Sequence, residues 1–509
     1  MKKQPTIVLI TVDCLRADHV GFLGYERPTT PFLDALSGES LVVPQAIVAG
    51  APTYYSFPAI MASRYPLALG RDVLGIAPDE PTLASVLKQA GYVTAAFTAA
   101  NPYLASRFGY EEGFDVFRDF LKEETEPLSE ERVNVGSDGW ASRLNRKLQE
   151  VRPYMGPMGK IYDQLYFEYC QRIMPAAKSL DALRRFPAAD VLVDEACAWL
   201  ASIGDSPAFL WLHMMDPHSP YYPKEEALVL MGHDGLTPFQ ARYLNSYWNR
   251  SDLGPGEMKR RRHDVIELYD AGIRWVDVQV ERLVRKLQEV NRWDDCVFAF
   301  TADHGEEFLD HGGRYHPPSR LMEELIHVPL LLRLPGMPKR ELPKSPFSLL
   351  HLAPTLLNAV DVAAPSEFEG RIHGQEFGEN REWDGIAISE CVAGCTNPFR
   401  PESRMGPRVL SVGQSRLKLV LSFDPPVEHL YDLEADPGEQ FPLKATAFIV
   451  ERRHLLEIAR EHLRQSYRQR SSERRLQARL RDLRLEWQKP EGKTLPAVQE
   501  LSPGVLLGE

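Results

Sequence analysis

The sequence predicts an α/β protein, a mostly parallel sheet between helices with a small C-terminal α+β subdomain. Short continuous apolar runs recur along the first two-thirds, as strands buried on both faces require. Segments with apolar residues at helical intervals alternate with them, and that alternation builds a sheet covered on both sides. From about residue 340 the texture changes to shorter strand-like stretches and a charged helix.

The elements follow in order. "TIVLITVD" (6–13) reads as the first buried strand. Two lysines precede it, but the run is short and β-branched, ends at Asp13 and lacks a small-residue cleavage site, so it is not read as a signal peptide. "TTPFLDALSGE" has helical spacing, and "PTLASVLKQAGYVTAAFTA" (81–99) reads as helix, glycine stop and strand. Residues 119–200 are polar and rich in long side chains, which predicts a helical insertion or cap beside the site mouth. "PAFLWLHMMD" (207–216), "DCVFAFTADHG" (295–305) and "HVPLLLRLPG" (327–336) are further strands, with a long helix over 256–290 between the first two. "RVLSVGQSRLKLVLSF" (408–423) reads as an antiparallel pair, "HLYDLEADPGEQ" (429–440) as a turn, and 447–488 as arginine-rich helix. That helix is expected to be a solvated face with intrahelical ion pairs, the other reading being a partner or membrane-surface helix. The domain division expected is 1–340 catalytic, 341–445 the rest of the core with the small subdomain, and 446–509 a helical tail.

The 509 residues carry a net charge of −12, which argues against nucleic acid as a partner. No apolar run is long enough to span a bilayer. The six cysteines are scattered, and the closest pair, Cys391 and Cys395, lacks convincing zinc spacing; a reducing, cytoplasmic setting is expected.

Ligands of open α/β sheets bind at the carboxyl ends of the strands, and Asp13, Asp216 and Asp303 all fall at such ends. "VDCLRADH" (12–19) offers Asp13, which either holds a metal or caps the next helix. "TADHGEEF" (301–308) sets Asp303 beside His304, a carboxylate and an imidazole that suit a divalent cation, before a glycine that permits a tight backbone. "HMMDPHSPYYP" (213–223) brings Asp216 and His218 around a proline, and "DHGGRYHPPS" (310–319) brings His311 and His316. Any one of these histidines is as readily a structural hydrogen-bonding group; four Asp/His clusters at strand ends are not so easily dismissed.

"ITVDCLRADHVGFLGYERPTTPFLDAL", "SFPAIMASRYPL", "TLASVLKQAGYVTAAF", "HMMDPHSPYYP", "LYDAGIRWVD", "TADHGEEFLDHG", "ELIHVPLLLRLPG", "LAPTLLNAV" and "LYDLEADPGEQ" run in this order from about 6 to 440. In them the chain resembles the sulfatase family of the alkaline-phosphatase superfamily. The resemblance implies an alkaline-phosphatase-like fold and a divalent cation (Ca²⁺, Mn²⁺, Mg²⁺ or Zn²⁺) held by Asp13, Asp303 and His304. It matches His218 to a histidine that contacts the ester or leaving group, and His316 to a lysine that contacts the sulfuryl group. Cys14 stands where the family usually has a second acidic residue, and Arg16 matches a first-loop arginine of open role. Asp216, His311 and Arg16 fall to a second cation or to the substrate shell.

The family nucleophile belongs to C-x-P-x-R, a cysteine or serine converted to formylglycine. The register set by "SFPAIMASRYPL" and by the distance from Asp13 puts Thr53 at the cysteine, Tyr55 at the proline and Phe57 at the arginine. Conversion to formylglycine is therefore not expected; a metal-activated Thr53 hydroxyl is, with His218 or His316 serving the leaving oxygen. The implied function is hydrolysis of a small-molecule sulfate or phosphate ester, phosphodiesterase activity included. The alternatives are a phospho-group transferase and a non-catalytic metal- or ligand-binding relative, the latter favoured by the lost arginine.

Overall fold

The computed structural model describes residues 5–71, 73–121, 157–173, 178–233, 235–336, 340–342, 344–371 and 385–468. Its central sheet contains β1 (Ile7–Val12), β2 (Leu41–Ile47), β3 (Val93–Thr98), β4 (Val116–Arg118), β5 (Ala208–Met214) and β6 (Val297–Ala302). A two-stranded ribbon, β7 (Glu307–Phe308) and β8 (Arg314–Tyr315), follows β6. Then β9 (His327–Arg333), β10 (Arg340–Glu341) and β11 (Phe347–Ser348) return to the sheet. The order is β10-β2-β9-β6-β1-β5-β3-β4, with β11 also paired to β2. Every pairing is parallel except those of β9, which runs antiparallel to β2 and β6. β1, β5 and β6 have no exposed residue because layers of helix cover both faces, which is why their sequences are uninterrupted apolar runs.

β6, β1 and β5 are neighbours in near-perfect register, with Val12 opposite both Ala302 and Met214. The residues that follow therefore leave the sheet along one edge. Asp13 hangs there by its amide, which donates to Met214 O at 2.8 Å. The helix Arg262–Glu289 crosses behind this edge, and its buried Tyr269 hydroxyl donates to Cys14 O (2.7 Å) and accepts from Arg16 N (3.0 Å). Two hydrogen bonds thus fix the loop after β1, in which Cys14 takes a left-handed φ of 63°. On the opposite loop Gly305 has to be glycine, since a Cβ there would lie 2.0 Å from Glu324 O.

A second sheet, β12 (Ile386–Val392), β13 (Arg408–Gln414), β14 (Leu417–Phe423) and β15 (Pro426–Asp432), is wholly antiparallel. β13 and β14 are the expected pair. The stretch read as a turn from 429 begins as β15, and the turn comes only after Asp432. The helix Ile449–Arg468 packs its Leu455 and Ala459 on this sheet against Leu410, Val412 and Leu419. Within the expected cap the chain forms the helices Pro157–Ile173 and Ala189–Ser202. The remainder of that cap, 122–156 and 174–177, and the tail from 469 onward lie outside the described residues. Among the described residues no helix is long and apolar enough to cross a membrane.

Candidate active site

Three strand ends and one helix start build the site. Asp13 leaves β1, Asp303 and His304 leave β6, His218 lies in the loop after β5, and Thr53 is the first residue of the helix Thr53–Ala62. All but His218 are buried. His304 Nε2 lies 3.2 Å from Thr53 Oγ1, 3.6 Å from Asp13 Oδ1 and 3.6 Å from an oxygen of Asp303, Oδ2. His304 Nδ1 meets Gly305 O at 2.8 Å, so Nε2 is the nitrogen left facing the cluster.

Burial and neighbouring charges pull the two aspartates in opposite directions. Burial pushes the Asp303 carboxyl up, and the charge of Asp13 adds to the rise. Burial acts on Asp13 as well, but His218, His213 and His304 hold it well below the usual carboxylate range. Among the described residues the ion-pair partners of both aspartates are imidazoles alone. Asp303 Oδ2 is buried with no donor in hydrogen-bonding geometry, although the Thr53 hydroxyl faces the carboxylate from close by. Oxygen and nitrogen donors bound to one divalent cation at about 2.0–2.4 Å stand roughly 3–3.5 Å apart. The separations of 3.2 and 3.6 Å around His304 Nε2 match that spacing. The residues present therefore fit a cation held by Asp13, Asp303 and His304.

The other flank is histidine-rich. The His316 ring lies 4.7 Å from that of His304 and 5.2 Å from that of His218. His316 Nδ1 meets Glu306 Oε1 at 3.2 Å. Burial lowers the proton affinity of His316, but Glu306 more than offsets it and the group is raised. His218 lacks such a partner carboxylate in contact, and burial pushes it down.

Asp216, His311 and Arg16 are placed elsewhere, each with partners of its own. Asp216 accepts from Arg184 Nη2 (2.8 Å) and from Ala189 N (3.0 Å), the first amide of the helix Ala189–Ser202. His311 Nδ1 meets Glu324 Oε1 at 2.7 Å, in a separate group with Glu307. Arg16 forms ion pairs with Asp18 (2.7 Å) and Asp310 (2.9 Å) and donates to Glu306 O, which ties the loops after β1 and β6 together. Their charges and lone pairs are already used in these contacts, so the structure does not bring them to the cation donors. Asp216 and His311 are charge partners within the frame, not members of the cluster.

Phe57, where the family has arginine, points into the core. It is fully buried, with its ring 5.0 Å from His213 in a T-shaped contact and 5.5 Å from Trp211. The next arginine on this segment, Arg64, is buried in an ion pair with Glu80 and donates to Gly75 O at 2.9 Å. Tyr54 is spent as well, its hydroxyl donating to Cys395 O.

Four supporting residues escaped the sequence reading. His213 spans from Thr11 Oγ1 (3.0 Å) to Asp13 Oδ2 (3.4 Å), and Asn101 Nδ2 donates to the same Asp13 oxygen at 2.9 Å. Glu306 orients His316, and Tyr269 pins the first loop. His213 carried a signal, because it occupies a strand position one residue short of the strand end at Met214, where an apolar side chain is expected. Asn101 carried none.

At the carboxyl edge of a mostly parallel sheet an Asp/Asp/His cluster thus stands beside the Thr53 hydroxyl. The Sulfatase family model matches residues 5–362, and the chain belongs to the sulfatase family. It is 22% identical over 377 residues to the ulvan-active sulfatase of Formosa agariphila, an alignment covering 72% of this chain and 64% of that protein. It is 28% identical over 255 residues to the choline-sulfatase of Rhizobium meliloti, covering 46% and 45%. The chain thus spans about half to two-thirds of these curated relatives. In structure it resembles the phosphonate monoester hydrolase of Agrobacterium radiobacter, with a TM-score of 0.62 at 19% identity over 92% of this chain and 96% of that one.

Proposed function

We propose that this protein is a metal-dependent hydrolase of sulfate or phosphate-type esters that uses Thr53 as its nucleophile. The observation that carries this is the Thr53 hydroxyl, 3.2 Å from His304 Nε2 on the rim of the Asp13/Asp303/His304 donor set. The family, and relatives described as sulfatases and a phosphonate monoester hydrolase, support the substrate class. When bound, a divalent cation supplies Lewis-acid polarisation of the substrate oxyanion.

The chain's own groups do the rest. As the first residue of the helix Thr53–Ala62, Thr53 sits where unpaired amides favour negative charge on its oxygen. The Thr53 O–H bond breaks, its proton passing to the His218 imidazole that burial favours in its neutral form, as Oγ1 attacks sulfur or phosphorus in line and the bond to the leaving oxygen breaks. His316 donates the proton to that oxygen, because Glu306 keeps it supplied with one. His218, held by its contact to Ser219 O, faces the same space and steadies equatorial charge. Water then cleaves the covalent ester and restores Thr53. Phe57 cannot brace the nucleophile as an arginine at its position would; its contact with His213 fixes the helix from below instead.

Thr53→Ala tests this with nitrophenyl sulfate, phosphate and phosphonate esters. Turnover is expected to fall by at least about a thousandfold, since nucleophile removal costs rates of that order or more, while circular dichroism and metal content stay unchanged. Undiminished turnover in a folded, metal-loaded Thr53→Ala protein overturns the assignment of Thr53.

A further inference from the structure

We propose that the cation site is thiophilic: Cys14 Sγ binds the ion as a thiolate alongside Asp13 and His304, so that the site takes Zn²⁺ in preference to Ca²⁺ or Mg²⁺. This rests on reading the cluster as a cation site and adds the identity of the ion and one further ligand.

The sulfur is at the donor set itself. Cys14 Sγ lies 3.0 Å from Asp13 Oδ1, the same oxygen that stands 3.6 Å from His304 Nε2. Donor atoms of Cys14, His304 and His316 all lie within 4.8 Å of one another, as do those of Asp13, Cys14 and His218. Cys14 is common to both sets. The sulfur also stands 3.4 Å from His316 Nδ1, with the His316 ring and its Glu306 partner on the far side. It is fully buried and stays aimed inward because Tyr269 holds the Cys14 carbonyl and the next-but-one amide.

Ca²⁺ and Mg²⁺ are hard cations that take oxygen cages of six or more ligands. This cluster provides two aspartates, surrounded by a thiol and the imidazoles of His304, His316 and His218. Zn²⁺ takes Cys, His and Asp together in four- or five-coordinate sites, and softer donors select it over hard cations. On binding, the S–H bond breaks, a metal–sulfur bond forms and the proton is released to solvent. Cys14 is then a ligand and not a nucleophile, because the thiolate's donor pair is engaged on the ion, and Thr53 remains the hydroxyl beside the cluster.

The test uses the full chain stripped with chelator and reloaded with Co²⁺ or Zn²⁺. Wild type is expected to show a near-ultraviolet sulfur-to-cobalt charge-transfer band that Cys14→Ser lacks. Cys14→Ser is expected to bind Zn²⁺ at least about 100-fold more weakly, beyond the range seen on losing an outer partner, and Cys14→Asp to move the preference toward Ca²⁺ and Mg²⁺. Should the variants fail to fold, zinc X-ray absorption on wild type reads the same point, a sulfur neighbour at about 2.3 Å. Absence of sulfur from both spectra of wild type, or zinc affinity in folded Cys14→Ser within about threefold of wild type, overturns the proposal. A sulfur signal without ester turnover leaves it standing and removes the hydrolase reading; turnover with Ca²⁺ or Mg²⁺ and no sulfur signal does the reverse.

Discussion

Thr53 and Phe57 stand one helical turn apart, and the contrast between them shows what single residues disclose. Thr53 was legible from its distance to Asp13, because a fixed strand-to-helix spacing places one side chain at the sheet edge. Phe57 was legible only as a missing charge; its inward contact with His213 depends on a partner about 150 positions away on β5. The same held for His311, which its sequence neighbours could not distinguish from a ligand. Its partner is Glu324, whose hydrogen bond pushes the imidazole up to about 9 against the effect of burial. Since this folded value lies above the ordinary one near 6.5, the protonated form is the one the fold favours. Its stabilisation is complete below about pH 6.5 and is lost as pH rises through about 9. The melting-temperature gap between wild type and His311→Asn should therefore be largest near pH 6 and close by about pH 10. A gap that does not vary with pH would show that the pair carries no charge.

At the level of elements, apolar runs revealed the buried strands but not their direction. β9 reads like β1, yet it is antiparallel to both neighbours, since burial on two faces erases the alternation that would mark its pairing. β15 was hidden for the opposite reason: its first three residues are exposed and only the last three are buried, so no continuous apolar run marks it. Helix ends depend on distant partners as well. The short helix Pro31–Leu36 has no side-chain cap of its own. Asp277, on the helix Arg262–Glu289, accepts from Leu33 N at 2.9 Å and Phe32 N at 3.0 Å and pairs with Arg274 at 2.7 Å. Asp277→Ala leaves one buried and one half-buried amide without acceptors and should lower unfolding free energy by about 1–3 kcal/mol in urea titrations. Asp277→Asn, which keeps one acceptor oxygen, should lose about half as much. Equal stability of Asp277→Ala and wild type would mean that water replaces the cap at no cost.

Across the whole molecule, the C-terminal sheet and its helix reach the nucleophile segment in part through Glu390. Glu390, on β12, donates its backbone amide to Ala49 O at 2.9 Å, four residues before Thr53. Its side chain accepts from Leu67 N at 2.9 Å and from His462 Nε2 at 3.0 Å, with Arg408 3.7 Å away. A helix read from sequence as a solvated, charged face thus places one histidine under the core, a position that its arginine-rich composition concealed. Burial works to raise Glu390, but His462 and Arg408 prevail and hold it below the usual carboxylate range. A depressed folded value contributes stability that is present above the ordinary value near 4.5 and fades as pH falls through the folded one. Removing His462 takes a hydrogen-bond donor from a buried carboxylate, and leaving such a group short of a partner costs about 1–3 kcal/mol. His462→Ala should therefore lower the melting temperature at pH 7, and the deficit should shrink on acidification below about pH 4 as Glu390 takes up a proton. Calorimetry also reports how far the effect travels. Because Glu390 bonds both to the strand-end segment at Ala49 and to the docked helix, a single shifted transition is expected; a separate early transition would show the C-terminal unit unfolding without disturbing the segment that carries Thr53.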